Sequence, residues 1–372
     1  MSIRFEMIGK LDLAKDSDKR KGFEELRYKK GEKDKNGQPR KSDFISRTLR
    51  LTMKSNEDFF NLRIKGNLFG DENTAIIKSS KKMPDGKYEL VEFKYKDREK
   101  YTNDLAEFKK FVFVNGEERH EFATEYEYSM FIHNLLSSGE VKDKIFKVVG
   151  EIEYSDYTDP NTKVTKTYMN YNITRIYIVN YETEETSTAN VDIYINEGSV
   201  DDSNLSEGLF KINGYIPQYD RKKKGDKGYF QVLEYPLNVE ENKIQTKFNF
   251  IKKLLEVQDC ELAKIGFKVN LINRVEEVEF DESMLSDEDR LGLELEVYTL
   301  SDFKDKYGNG KGGYVSKMEV SNVNSLYKKG CIPTQVVLSE LLSDGEKEEK
   351  EPELNLEGSL TDNELDDMDI FD

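Results

Sequence analysis

The chain has 372 residues, 36% of them hydrophobic and 35% charged, with a formal net charge of −17. That length suits two or three domains, and so polar a composition gives small cores under a heavily solvated surface. No apolar run approaches the ~18 residues of a membrane span, and the opening MSIRFEMIGK has no signal-peptide core, so a cytoplasmic protein is expected. Cys260, Cys331, His120 and His133 are the whole supply of cysteine and histidine. They offer no disulfide framework, no zinc spacing and almost nothing for a triad, so neither cofactor nor metal is expected. Charge is uneven: residues 344–372 hold 13 acidic and 2 basic side chains, whereas residues 1–100 hold 26 basic and 18 acidic.

In chain order, period-2 alternation predicts strands at 3–13, 44–54 and 58–66 and around 87–95. Between the first two lies an insertion, Ala14–Asp43, with 11 basic and 7 acidic residues. Lys19, Arg20, Lys21, Lys29, Lys30, Arg40 and Lys41 suit a phosphate clamp that orders on binding, and the acidic interleaving suits a solvated loop nearly as well. Phe111–Arg119 reads as a hairpin turning at Asn115-Gly116, the pair that a type I′ turn requires. Thr124 is placed to cap a helix through about Ser137, with Gly139 as its stop. These elements make residues 1–140 an irregular N-terminal barrel domain.

A register then repeats. Phe5-x-Met7-x-Gly9-x-Leu11 is matched by Phe146-x-Val148-x-Gly150-x-Ile152 and by Phe210-x-Ile212-x-Gly214-x-Ile216. Each copy puts a glycine on the apolar face at mid-strand, where a bulge or sharp coil is its expected use. Residues 141–240 read as one five-stranded unit, with strands near 145–155, 165–179, 189–196, 209–216 and 229–239. A brief helix starts in Asp201–Asn204, between the third and fourth. That order is similar to the oligonucleotide-binding (OB) barrel, and it makes Asp156–Lys163 the loop between strands 1 and 2 and Pro217–Gly228 the loop between 4 and 5. Residues 241–342 read as a mixed α/β domain opening with a helix over Lys243–Val257, and 343–372 as a disordered acidic tail. The fold class expected is therefore mainly β (α+β), with tandem OB-like barrels.

Candidate nucleic-acid-binding residues follow from basic heads that neutralise phosphates and ring faces on which bases stack. The 217–228 loop and the strand behind it supply Tyr219, Arg221, Lys222, Lys223, Lys224, Lys227 and Tyr229. A Lys-Gly-rich turn also suits a plain solvated hairpin. The strands of the same unit add Tyr154, Tyr157, Lys166, Tyr168, Tyr171 and Arg175, although aromatic residues are ordinary strand formers and about half of these rings belong to a core. Pro84-Asp85 with Glu92-x-Lys94 resembles the metal-dependent nuclease pattern, but only six residues separate the two carboxylates and Pro84-Asp85-Gly86 is a natural β-turn. A turn is the expected reading, and the chain is not expected to be an enzyme.

The last residues are Asp366-Asp367-Met368-Asp369-Ile370-Phe371-Asp372. An acidic run closing on an apolar pair resembles the C-terminal tip of bacterial and phage single-stranded DNA-binding proteins. Two departures stand out: no proline separates Ile370 from Phe371, and Asp372 follows the phenylalanine. The resemblance covers about a dozen residues plus architecture, since those bacterial chains are short and single-barrelled. It implies that Asp366, Asp367, Asp369, Ile370 and Phe371 dock replication, recombination and repair proteins, and that the body binds single-stranded DNA, as in a phage-encoded protein of the host cytoplasm. The alternative function is a non-catalytic structural or adaptor protein, such as a virion component, whose barrels bind protein.

Overall fold

A computed structural model describes residues 3–17, 21–33, 39–40, 42–159, 162–220, 225–257, 263–277, 285–295, 297–299 and 311–326. The N-terminal half carries strands β1 (Ile3–Leu13), β2 (Phe23–Tyr28), β3 (Phe44–Ser55), β4 (Asp58–Phe69), β5 (Ile76–Lys82) and β6 (Tyr88–Lys94). A short helix α1 (Glu99–Thr102), the hairpin β7 (Phe111–Asn115) and β8 (Glu118–Phe122), helix α2 (Glu125–Ser138), β9 (Ile145–Thr158) and β10 (Thr165–Val179) complete it. The C-terminal half carries β11 (Thr186–Ile195), β12 (Val200–Asp201), β13 (Leu209–Asp220), β14 (Gly225–Pro236), α3 (Glu241–Leu255), β15 (Ala263–Glu277), α4 (Asp287–Glu294) and β16 (Lys311–Leu326).

Two rings of strands close on themselves. In the first, β1 pairs antiparallel with β3 (Leu11↔Met53) and with β9 (Phe5↔Gly150), β3 with β4 (Leu51↔Leu62), and β9 with β10. Parallel pairing of β10 with β4, through Tyr171↔Leu62 and Asn172↔Arg63, completes the circuit. The second repeats this wiring: β11 pairs with β13 (Tyr194↔Tyr215) and β15 (Val191↔Phe267), β13 with β14, and β15 with β16. It closes where β14 runs parallel to β16 (Leu233↔Met318). In both, the spatial order is first-second-third-fifth-fourth, and a helix, α2 or α3, follows the third strand in sequence.

The boundary expected at residue 140 therefore falls inside the first ring. β9 and β10 are not the opening strands of a second unit. They are the fourth and fifth strands of the first, while β15 and β16, expected in a mixed α/β region, belong to the second ring. Alternation fixes which residues form a strand, but its neighbours are chosen non-locally, so five consecutive strands need not pair with one another.

The repeated glycines serve these crossings. A Cβ on Gly9 would lie 2.1 Å from the Lys54 carbonyl oxygen, one on Gly150 2.1 Å from that of Asn172, and one on Gly214 2.6 Å from that of Tyr194. Close strand approach is thus their role, and at Gly150 the expected bulge accompanies it, since its cross-strand partner Ile173 opens the register shift between Ile173 and Arg175 in β10. Helix α2 starts as expected: Thr124 Oγ1 accepts the Glu127 N–H at 3.4 Å, and Gly139 ends the helix at φ +78°. Gly66 on β4 lets the helix N-terminus sit close, since a Cβ there would meet the Tyr126 nitrogen at 2.2 Å.

The first strands of the two rings pair antiparallel, from Arg4↔Asn190 to Ile8↔Thr186. Each ring also sends its second-to-third-strand hairpin onto the fourth strand of the other. The Tyr154 N–H on β9 donates to Gln218 Oε1 at 2.8 Å, and the Tyr154 hydroxyl donates to Gln231 Oε1 at 2.8 Å. Reciprocally, the Asn273 N–H on β15 donates to Asp58 Oδ1 at 2.9 Å and its side-chain amide donates to the Phe59 carbonyl. Phe5, Met7, Leu51, Phe146, Val191, Phe210 and Phe267 share one buried cluster that runs through both rings.

Candidate nucleic-acid interface

Alternation along β3 and β4 puts Leu49, Leu51, Met53, Phe60, Leu62 and Ile64 inside the first ring. The intervening positions face outward: Arg50, Thr52 and Lys54 on β3, and Phe59, Asn61, Arg63 and Lys65 on β4. The register sets Arg50 opposite Arg63 and Lys54 opposite Phe59. Like charges directly across a sheet repel, so Arg50 and Arg63 are held together by the fold against their own electrostatics. Arg63 Nε donates to Asn172 Oδ1 at 2.7 Å, and Arg50 Nη1 donates to the Lys21 carbonyl at 2.8 Å while standing 3.8 Å from Glu24. Burial pushes the Arg63 guanidinium down to about 10; Glu153 opposes that shift and the neighbouring Arg50 adds to it. It is still a cation at neutral pH. Lys54 Nζ lies 5.4 Å from the Phe59 ring centroid, and that ring is 49% exposed.

Toward the far end of the same two strands lies an aromatic row. Tyr28 stacks on Phe44 at 5.9 Å, and Phe44 meets Phe69 at 5.2 Å. The Arg40 guanidinium sits 3.9 Å over the Tyr28 ring. This row exists because part of the Ala14–Asp43 insertion is not a loop. Phe23–Tyr28 forms β2 and pairs along β3, from Phe23↔Leu49 to Tyr28↔Phe44. A half-buried ion pair anchors β2, with Arg47 Nη2 2.5 Å from Glu25 Oε2 and Arg47 Nη1 donating to the Tyr126 carbonyl at 2.7 Å.

Three residues expected from the strands, Tyr157, Lys166 and Tyr168, extend this outer face. Tyr157 is the cross-strand neighbour of Lys166, and Lys166 and Tyr168 alternate along β10 with Asn172, the partner of Arg63. Tyr154 and Tyr171 are corrected to core positions, 5% and 6% exposed. The Tyr171 ring makes edge contacts with Phe5 and Phe60, so neither face is open to a base. Arg175 is engaged within the chain, donating to the Glu107 carbonyl at 3.1 Å.

The two loops exchange roles. Residues 156–163 connect the fourth and fifth strands of the first ring, and 217–228 connect the second and third of the second. The latter is an extended hairpin whose inner side serves contact between the rings: Lys227 pairs with Asp156, and Tyr229 stacks on Tyr154 at 5.2 Å. Tyr219 remains 59% exposed. Lys21, Lys29 and Lys30 are exposed in the insertion. Arg221, Lys222, Lys223, Lys224, Lys19, Arg20 and Lys41 lie outside the described residues, as do Asp366, Asp367, Asp369, Ile370 and Phe371.

Asp85 and Glu92 are placed on the β5–β6 hairpin. Asp85 Oδ1 accepts the Lys87 N–H at 3.0 Å inside the turn, and Glu92 pairs with Lys78 at 2.9 Å. Among the described residues no three His, Cys, Asp or Glu side chains are grouped to hold a metal ion, and no helix is long and apolar enough to cross a membrane.

Charge separates the rings. Residues 1–179 hold 35 basic and 31 acidic side chains, whereas 180–326 hold 18 and 29. The outward face of β13–β14 shows the same poverty, with Lys211 beside Glu234 and Tyr219 beside Asp226.

No family model matches the chain, and no curated protein matches it. Among solved structures, it is similar to the wild-type single-stranded DNA binding protein from Thermus aquaticus, at 8% identity and a TM-score of 0.33, over 89% of this chain and 95% of that one. A deletion mutant of the same protein matches at 7% identity and a TM-score of 0.29, over 90% of this chain and 98% of that one.

Proposed function

We propose that the two rings are tandem oligonucleotide-binding barrels and that the chain binds single-stranded DNA without catalysis, across the outer face of β3 and β4. The wiring first-second-third-fifth-fourth, with a helix after the third strand, supports the barrel reading, because it is the second and third strands of such barrels that grip oligonucleotides. The observation that carries the ligand is the Arg50–Arg63 pair. Two guanidinium groups forced opposite each other are relieved by a phosphate between them, while Phe59 and the Tyr28–Phe44–Phe69 row offer rings to bases.

The first barrel is then the reader, and the acidic second barrel holds its hairpin and fourth strand in place. A duplex cannot present unstacked bases to these rings, so single strands should be preferred, with log affinity falling as log salt rises. A salt titration with single- and double-stranded oligonucleotides tests this. Equal affinity for both forms, or none at low salt, would overturn it. The acidic tail, through Asp366, Asp367, Asp369, Ile370 and Phe371, recruits proteins of replication, recombination or repair in this reading, and its apolar pair supplies the anchor.

A further inference from the structure

The insertion between β4 and α2 folds into an arm with one face that the described chain leaves uncovered. β5 and β6 form a two-stranded sheet of their own. Its inner side is packed: Phe93 is buried with Leu105 and Ala123, Ile77 and Val91 pack against that cluster, and Phe93 stacks on Tyr101 at 4.7 Å. The other side reads, across the two strands, Ile76↔Lys94, Lys78↔Glu92, Ser80↔Leu90 and Lys82↔Tyr88. Phe108 meets the edge of Tyr88 at 5.0 Å, and Lys109 Nζ lies 5.7 Å from the Phe108 ring centroid. Tyr88, Leu90 and Phe108 are 55%, 68% and 53% exposed. A two-stranded ribbon gains little stability from such a face, and exposed rings with lysines beside them mark a surface built to be covered.

Charge and position indicate what covers it. Lys78, Lys82 and Lys94 share this face with one carboxylate, Glu92, which Lys78 already neutralises, and Lys109 lies beside Phe108. The root of the arm packs Ile77 against Ile45, Leu68, Ala75, Tyr95 and Tyr126. Ile45 and Leu68 are the chain neighbours of Phe44 and Phe69, so the arm leaves the barrel where the aromatic row ends. We propose that the arm is a second contact for the same single strand, taking bases on Tyr88 and Phe108 and phosphates on Lys82, Lys94 and Lys109 beyond the barrel face. The inference rests on the single-stranded DNA reading above and extends its footprint. A single-stranded polyanion fits better than an acidic peptide, because the lysines flank ring faces and the arm follows directly in the chain from Phe69, the end of the aromatic row.

The test uses the full chain and two lengths of oligonucleotide. One is about 8 nucleotides, inside the ~4–16 that a single barrel takes, and one is about 30. Tyr88→Ala/Phe108→Ala and Lys82→Glu/Lys94→Glu should each lower affinity for the long strand about 5- to 50-fold and leave the short one unchanged. The lysine variant should also flatten the salt dependence for the long strand only. Glu92→Lys, which replaces the face's one carboxylate by a cation and keeps its rings at the cost of the Lys78 ion pair, should tighten the long strand alone and guards against misfolding of the other variants. Unchanged affinity at both lengths in every variant, with the parent still binding, overturns the arm's role and leaves the face to a protein partner. Equal losses at both lengths overturn it too. If the parent binds neither length, the single-stranded DNA reading itself has failed.

Discussion

Arg63 is the residue on which the proposed interface turns. It is desolvated, it lies across the strand pair from a second arginine, and Asn172 takes one of its donors, while Glu153 is the nearby acidic group that favours its charge. In the free protein, burial and Arg50 together disfavour the charged form, which brings its pKa down to about 10, below the ordinary arginine range. For a base, a folded pKa below the unfolded one means that folding carries a penalty while the group is charged. That penalty stands below about pH 10 and fades as pH rises toward the unfolded value. A bound phosphate reverses the shift by stabilising the cation. Arg63→Gln should therefore weaken single-stranded DNA binding and reduce the salt slope by ~0.7, the contribution of one phosphate to a single strand. Wild-type affinity should fall as pH climbs toward 10, and the Arg63→Gln variant should lose less over the same range. Fluorescence anisotropy at several pH values reads both. Parallel pH profiles for the two proteins would show that Arg63 does not contact DNA.

At the scale of elements, the β3–β4 hairpin and the β13–β14 hairpin are equivalent by wiring and unlike in chemistry. The first presents Arg50, Lys54, Phe59, Arg63 and Lys65 outward, and the second presents Lys211 with Glu234 and Tyr219 with Asp226. Phe59→Ala should lower single-stranded DNA affinity by ~1–3 kcal/mol, the usual worth of one stacked base. Replacing Arg221, Lys222, Lys223 and Lys224 together with alanine should cost less than replacing Arg50 and Arg63 together, because those four extend from the acidic ring. A larger loss from the four-residue tip would move the main contact to the second barrel. Both hairpins were legible as strands, and so was helix α2 with its Thr124 cap, since local alternation and capping chemistry are written into consecutive residues. Closure was not, because the parallel pairing of β10 with β4 joins segments about a hundred residues apart. That one pairing misassigned the two loops and drew attention to Lys227 and Tyr229, whose partners Asp156 and Tyr154 lie on the other ring. The face on β3 and β4 carries a signal that sequence reasoning passed over. Thr48, Arg50, Thr52 and Lys54, with Phe59, Asn61, Arg63 and Lys65, are the outward positions of two strands already predicted, and none is acidic.

For the whole molecule, charge is sorted along the chain, and on the proposed function the three parts act as a reader, a scaffold and a competitor. Residues 1–179 carry a small basic excess, residues 180–326 an acidic one, and residues 327–372 hold 14 acidic and 4 basic side chains. Pairing of β1 with β11 fixes the second ring beside the first, so on the proposed function its negative charge would oppose wrong paths for a polyanion and favour the β3–β4 face by contrast. The tail is covalently tied to the same body, and tethering raises its local concentration toward the millimolar range when a linker can span the distance. On the proposed function, weak attraction to Arg50, Arg63 and their neighbours would then be enough for the tail to compete with DNA. Deleting residues 344–372 should tighten single-stranded DNA binding, most at low salt, where screening is least. Phe371→Ala should leave DNA affinity nearly unchanged, because it removes an apolar anchor and no charge, while weakening capture of replication or repair proteins. An affinity that deletion leaves unaltered at every salt concentration would reduce the tail to a solubilising appendage and leave the second ring as the only negative element shaping where DNA binds.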